Sequence, residues 1–389
     1  MSFYSGLTFF IILLLGCILA VLLGMKEKRI GNYASVFSVW IIFMIYKEHP
    51  SELFYLCFYL FLEWHLIVLY QWSIRRFGKV QAVFRHAVLF AVLPLVIAKL
   101  GGWAGREWFS FLGISYITFK VVQIIIESYD GIIEKSEFWP TISFLCFFPT
   151  FSSGPIDRSR RFEEDFVRIW SRAEYIELLQ KGIWKILVGV LYKFVISAVA
   201  FDALVKISGR YDPAYLILYA YGYGIYMFFD FAGYSFMAVG TGYVLGIRTP
   251  DNFNMPFISR DMKDFWNRWH ISLSHWFRDF VFSRYVAGAI RNRKYKNRMY
   301  AASAGFLVNM LLMGVWHGVT ADYLLYGLYH GVLLALTEIC QKQSWYRKVK
   351  DCRWFVCLSW FITLQMVMFG FLIFSGKFLD ALAVLAHYL

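Results

Sequence analysis

The sequence predicts an all-α, polytopic membrane protein of about ten or eleven transmembrane helices. Three observations carry this prediction. Of 389 residues, 59% are hydrophobic, 21% aromatic and only 17% charged, whereas soluble domains carry about 25% charged residues. Apolar stretches approaching the roughly 20 residues that a spanning helix needs recur along the chain. The connections between them alternate between basic and acidic or nearly uncharged, as loops on opposite faces of a bilayer do.

The series opens at Ser5–Gly24, which lacks a basic n-region and a small-residue cleavage site and is therefore expected to be retained as the first helix. Leu53–Trp72, His86–Leu100 and Trp108–Ile126 follow, then Trp184–Leu204, Ala214–Phe229, Tyr300–Val319, Tyr323–Cys340 and Trp354–Phe374. Tyr33–Tyr46 and Trp139–Phe151 are shorter, near the roughly 10 to 14 residues of tilted or re-entrant elements. Lys26, Lys28 and Arg29 follow the first helix and Arg75, Arg76 and Lys79 the third. The positive-inside rule makes those loops cytoplasmic and places the N-terminus outside. Glu127–Glu137 holds one lysine against four acids and Arg158–Arg172 five arginines against three acids. Only a short Phe-, Pro- and Ser-rich piece separates them, so Phe138–Pro155 is expected to dip in and return. With no repeat, soluble linker or low-complexity tract visible, residues 1–389 are read as one integrated membrane domain.

The net charge of +13 belongs to cytoplasmic loops and anionic lipid surfaces rather than to nucleic-acid binding. Six scattered cysteines show no metal-ligand spacing and are read as core or lipid-facing thiols. Walker, Rossmann and G-x-S-x-G patterns are absent. Two polar breaks, Asp230–Ser235 and Asp251–Pro256, are read as structural hinges.

Chemistry concentrates elsewhere. Phe265–Phe280 crowds two histidines, two arginines, an aspartate and three tryptophans into one block. Trp266, Trp269, His270, Leu273, Phe277 and Phe280 fall near helical i, i+3, i+4, i+7 spacing, as on a helix buried in protein or lying at the interface. His270 and His275 stand five apart, off the i, i+4 spacing that would aim both at one ion, and no metal is expected. His317 lies near the end of an apolar run, two turns beyond Asn309 and next to Trp316, with Gly318 leaving backbone room for a substrate. Histidines in membrane helices commonly serve packing and hydrogen bonding, yet an intramembrane ionisable group is a functional candidate by default. Arg284–Arg298 carries six basic residues and no acid around the apolar run Val286–Ile290, and Lys342–Arg353 five basic residues and one acid. Both are expected on the cytoplasmic side, with Tyr300–Cys340 forming a hairpin between them.

Leu112–Phe119, Phe148–Pro155, Asp230–Tyr234, Asn252–Pro256, Phe265–Asp279 and Trp316–Gly318, taken in order, resemble the membrane-bound O-acyltransferases. The resemblance covers most of the chain. Within that family the sequence looks like the branch that transfers D-alanine to lipoteichoic acid in the plasma membrane of Gram-positive bacteria. Alginate-acetylating relatives carry a Pro-Leu-Gly-Gly-Asn-Arg type stretch where this chain has Phe282–Ala289.

The resemblance implies a ring of membrane helices, with re-entrant and interfacial helices, around a central funnel and tunnel. It makes His317 the general base, with His270 orienting substrate or donating to the developing oxyanion. Trp266, Arg268, Trp269, Ser272, Asn309 and Trp316 become tunnel or oxyanion-support residues. No bound cofactor is implied, and the acyl donor is D-alanine on the phosphopantetheine of a small acidic carrier protein. Such carriers dock on basic surfaces with apolar centres, which points to Arg284, Val286, Ala287, Ile290, Arg291, Arg293 and Lys294. The acceptor is lipoteichoic acid, reached from outside, with companion membrane proteins of the same pathway. Two alternatives stay open: a polysaccharide O-acetyltransferase of the same family and, from another class, a secondary transporter.

Overall fold

The computed structural model describes residues 2–106, 108–207 and 209–388. In chain order its α-helices are α1 (Leu7–Met25), α2 (Gly31–Tyr46), α3 (Pro50–Phe77), α4 (Gln81–Trp103), α5 (Ile114–Asp130), α6 (Phe138–Cys146), α7 (Ser159–Val167), α8 (Arg172–Leu191) and α9 (Ser197–Ile207). There follow α10 (Pro213–Val244), α11 (Met262–Trp266), α12 (Ile271–Phe277), α13 (Ser283–Arg291), α14 (Arg298–His317), α15 (Ala321–Lys342), α16 (Ser344–Val349), α17 (Arg353–Phe374) and α18 (Lys377–Tyr388). Two π-helical turns, Tyr192–Ile196 and Arg278–Phe282, join α8 to α9 and α12 to α13.

Among the described residues, seven helices are long and apolar enough to cross a bilayer: α1, α3, α4, the continuous Arg172–Ile207 stretch, α14, α15 and α17. The expected count of about ten or eleven is approached only by adding α2, α5 and α10. Helix α5 starts later than its apolar run because Gly113 precedes it at φ 95°, a left-handed conformation that glycine adopts without a Cβ penalty. Nearly all of its residues are buried, so its apolar composition serves packing against protein.

The chain forms two compact units, residues 1–190 with 233–251, and residues 191–232 with 252–389. In the first unit, α6 has nine residues, too few to cross a bilayer, and buried irregular backbone follows it to Asp157. That arrangement agrees with the short inserted element expected at Phe138–Pro155. Buried Lys120 fastens it, donating to the carbonyl of Phe144 at 2.7 Å and to Thr150 Oγ1 at 2.9 Å. The arginine-rich Arg158–Arg172 stretch is partly internal. Asp165 is buried and accepts from Arg248, Nη2 to Oδ1 being 2.6 Å, while Arg161 pairs with buried Asp157.

Asp230–Ser235 is not a hinge: α10 runs unbroken through it. Its charge is met by Lys193 at 2.6 Å. Gly189 explains the small residues nearby, since a Cβ on it would lie 2.7 Å from the Gly233 carbonyl, the close backbone approach that small residues permit between membrane helices.

In the second unit, α14 and α15 form the expected hairpin. A Cβ on Gly327 would lie 2.5 Å from the Met310 carbonyl and 3.2 Å from Gly314 Cα. The two backbones touch where these glycines face each other.

Candidate active site

The Phe265–Phe280 block is not one helix. Helix α11 ends at Trp266, His270 takes a left-handed backbone at φ 43° and ψ 52°, and α12 begins only at Ile271. Such a conformation costs a non-glycine residue about 1–2 kcal/mol, and a remote segment offsets it. The Asn252 carbonyl accepts from Ile271 N at 2.9 Å, Asn254 N donates to the Arg268 carbonyl at 3.0 Å, and Phe253 and Trp269 form an isolated antiparallel bridge. Asp251–Pro256 thus does more than act as a hinge. Asp261 caps α11 by accepting from Lys263 N and Asp264 N, and Gln341 of α15 donates to Asp261 at 2.9 Å. Trp360 of α17 holds the Phe257 carbonyl at 2.9 Å.

His270 is 3% exposed. Its Nδ1 lies 3.4 Å from Asn252 Oδ1, which also accepts from Ser272 N at 3.2 Å and Ser272 Oγ at 2.5 Å. A backbone N–H can only donate, so the amide atom facing Ser272 is the oxygen and His270 Nδ1 carries its hydrogen. The Nε2 lone pair is then free to accept, and both Nε2 and Asn252 Nδ2 are buried without a protein partner. Burial first, and the nearby His317 second, push the His270 pKa down to about 3. The ring is neutral at physiological pH and makes a T-shaped contact with Phe231, the ring centroids 4.7 Å apart.

His317 is the last residue of α14. Around it stand Trp316 at 4.6 Å, Phe374 at 5.0 Å, Tyr323 at 5.9 Å and Tyr326 at 6.2 Å between ring centroids. Gly318 does not leave room for substrate. A Cβ there would meet the Tyr323 ring at 2.5 Å, so the glycine seats that ring. His317 is near enough for its charge to act on His270.

A cavity of about 170 Å³ lies along α14, lined by Phe306, Asn309, Met310 and Met313 of that helix together with Trp266, His275 and Arg278. Phe306, Asn309 and Met313 stand at i, i+3 and i+7, and His317 is one turn further on the same face. From Phe306 to His317 this stripe rises about 16 Å. Trp266 and Asn309 line this cavity, and their Nε1 and Oδ1 atoms are buried and unpartnered within the protein.

Other predicted residues occupy supporting places. Trp269 packs against Phe265 at 5.7 Å and Phe371 at 5.0 Å. Arg268 is engaged by Asp264 at 2.6 Å and by the Asn254 carbonyl, so it fastens the loop. Ser272 orients Asn252. Helix α13 carries Arg284, Val286, Ala287, Ile290 and Arg291, of which Ala287, Ile290 and Arg291 are exposed, as are Arg293 and Lys294 beyond it. Val286 packs onto α14 at Gly305, and Lys294 lies between the rings of Tyr285 and Tyr295, 5.6 Å from each.

Asn252 and His330 are the main residues that sequence reasoning passed over. Asn252 sits in a quoted motif but eighteen positions from its partner. His330 is 1% exposed, packed against Tyr326 at 4.5 Å and Trp266 at 5.3 Å, and its Nδ1 has no protein partner. It follows Tyr326 by one helical turn, which was the available signal.

Comparison with known proteins shows the family. The family model for MBOAT, the membrane-bound O-acyltransferase family, matches residues 81–378. The chain is 42% identical over 393 residues to the teichoic acid D-alanyltransferase of Bacillus subtilis (strain 168), covering 97% of this chain and 98% of that one. It is 37% identical over 400 residues to the protein of that name in Streptococcus thermophilus, at 95% and 94% coverage. A probable alginate O-acetylase AlgI of Azotobacter vinelandii is 29% identical over 276 residues, 69% of this chain and 51% of that protein. The chain, an acyltransferase with several membrane-spanning helices, belongs to the membrane-bound O-acyltransferase family.

Proposed function

We propose that this protein transfers D-alanine from the phosphopantetheine thioester of a carrier protein to a hydroxyl of teichoic acid at the plasma membrane of a Gram-positive bacterium. Near end-to-end similarity to teichoic acid D-alanyltransferases favours this acceptor over a polysaccharide. The observation that carries the donor side is the cavity along α14, lined by Phe306, Asn309 and Met313, a stripe whose helical spacing continues one turn on to His317. Trp266 and Asn309, which line it, carry an N–H and a carbonyl oxygen without protein partners; turned into the cavity, these would match the C=O and N–H of an amide, the repeating polar group of a pantetheine arm.

In this reading His317 takes the proton from the acceptor hydroxyl as its oxygen attacks the thioester carbonyl. Collapse breaks the C–S bond, and the proton passes to the departing thiolate. A positioned imidazole contributes about 10²- to 10⁴-fold in such a step. With Nδ1 turned to Asn252, His270 offers Nε2 as an acceptor, which suits holding the incoming hydroxyl rather than donating to the oxyanion. The exposed Ala287, Ile290, Arg291, Arg293 and Lys294 on and beside α13 supply the apolar centre and positive charge that an acidic carrier requires. In this proposal the basic loops and α13 face the cytoplasm, the N-terminus lies outside, and companion membrane proteins present the acceptor.

The test is transfer of radiolabelled D-alanine from the carrier thioester by purified wild-type and His317→Ala protein. Loss of transfer by at least 100-fold, with normal membrane insertion, is expected. Retained transfer would remove His317 as the base, and label moving from acetyl-CoA but not from the carrier would favour the O-acetyltransferase.

A further inference from the structure

An ion pair stands in the second unit where the surrounding sequence is almost wholly apolar. Lys193, between Leu191-Tyr192 and Phe194-Val195-Ile196, lies 2.6 Å from Asp230, between Phe228-Phe229 and Phe231-Ala232. Lys193 belongs to the π-helical turn within the Arg172–Ile207 span. Such turns are rare and recur at functional sites. Ser197 Oγ, one turn on, lies 3.5 Å from the same carboxylate oxygen.

The pair is not sealed. Its side chains keep 20% and 37% of their exposure. Charged groups in spanning segments face either a protein interior or a water-filled cavity, because lipid contact is costly. Partial exposure excludes a sealed interior, and the cost of lipid contact to a charge then favours water on the exposed side. The pair adjoins the site, since the rings of Phe231, next to Asp230, and of His270 form a T-shaped contact with centroids 4.7 Å apart. Successive helical side chains diverge by about 100°, so Phe231 faces the histidine while Asp230 turns to Lys193.

Resting on the acceptor class proposed above, we infer that Lys193 and Asp230 form the acceptor subsite: the ammonium binds a phosphodiester and the carboxylate accepts from a neighbouring hydroxyl of a polyol phosphate. The two groups read the two chemical features that alternate along such a polymer. A pair serving only to glue the π-helical turn to α10 would work equally well with its charges exchanged. A recognition pair would not.

The experiment compares the full-length wild type, Lys193→Gln, Asp230→Asn and the exchanged double variant Lys193→Asp/Asp230→Lys in detergent. One arm measures the thermal shift produced by a soluble glycerol-phosphate oligomer. The other measures KM for acceptor and for carrier thioester. Expected are stabilisation of the wild type alone and an acceptor KM raised at least tenfold in all variants with donor KM unchanged. The exchanged variant should recover the folded yield that either single variant loses. An exchanged variant with wild-type acceptor KM and thermal shift, or a wild type that the oligomer does not stabilise, would overturn the inference. Wild-type protein that binds the oligomer but takes nothing from the carrier thioester would instead count against the donor reading and leave the subsite standing.

Discussion

Replacing Asn252 by alanine removes one oxygen that does two jobs. Its Oδ1 is the acceptor for the buried Ser272 N–H and faces His270 Nδ1. Orphaning a buried N–H costs about 1–3 kcal/mol. The Ser272 hydroxyl can rotate to another acceptor, and the backbone bond from Ile271 N to residue 252 survives the substitution, so neither adds to the loss. The expected decrease in stability is therefore about 1–3 kcal/mol, a fall in melting temperature on the order of 2–6 °C. Catalysis should suffer separately. Without an acceptor at Nδ1 the imidazole is free to carry its hydrogen on Nε2, and kcat should drop about tenfold or more, by analogy with other orienting hydrogen bonds to histidine. Asn252→Asp keeps the acceptor and should retain most of the stability, while its charge favours protonation of His270 and moves the pH profile. Thermal unfolding in detergent and carrier-dependent D-alanyl transfer measure both effects. Asn252→Ala protein with wild-type melting, kcat and pH profile would refute the tautomer assignment.

Gly327→Val should force α14 and α15 apart, because its Cβ would stand 2.5 Å from the Met310 carbonyl; overpacking of this kind costs about 1–3 kcal/mol or more. Size-exclusion yield should fall for this variant but not for Gly288→Ala, where nothing lies within 4 Å. Reversing charge at Arg291 and Arg293 should weaken carrier binding at least tenfold at low salt and less at high salt; titration at two ionic strengths checks this. His270 has a folded pKa of about 3 against about 6.5 unfolded. Its contribution is complete above pH 6.5 and is lost as pH falls, because the unfolded imidazole binds a proton that the folded one refuses. The slope is at most about 1.4 kcal/mol per pH unit, and denaturation between pH 7 and 5 should show it flattened in His270→Gln.

The sequence by itself determined the class and most of the spanning helices, and it singled out His317 as a candidate. Hydropathy is a local property, and a run of apolar residues in a bilayer has few alternatives to a helix. The stripe from Asn309 to His317 could be drawn from i, i+4 spacing alone. Only the tertiary structure decided the rest. Helical periodicity in Phe265–Phe280 concealed the break at His270, because the break is held by Asn252, and local spacing carries no information about a partner eighteen residues away. Asp230 looked like a hinge until Lys193 appeared opposite it, and Gly318 like an open approach until the Tyr323 ring filled the space. His330 and the donor–acceptor pair of Trp266 and Asn309 likewise exist as a site only through the packing of α11, α14 and α15. Periodicity reports which side of an element avoids water, whereas hydrogen bonds and ring contacts depend on which distant backbone the fold brings within a few ångströms.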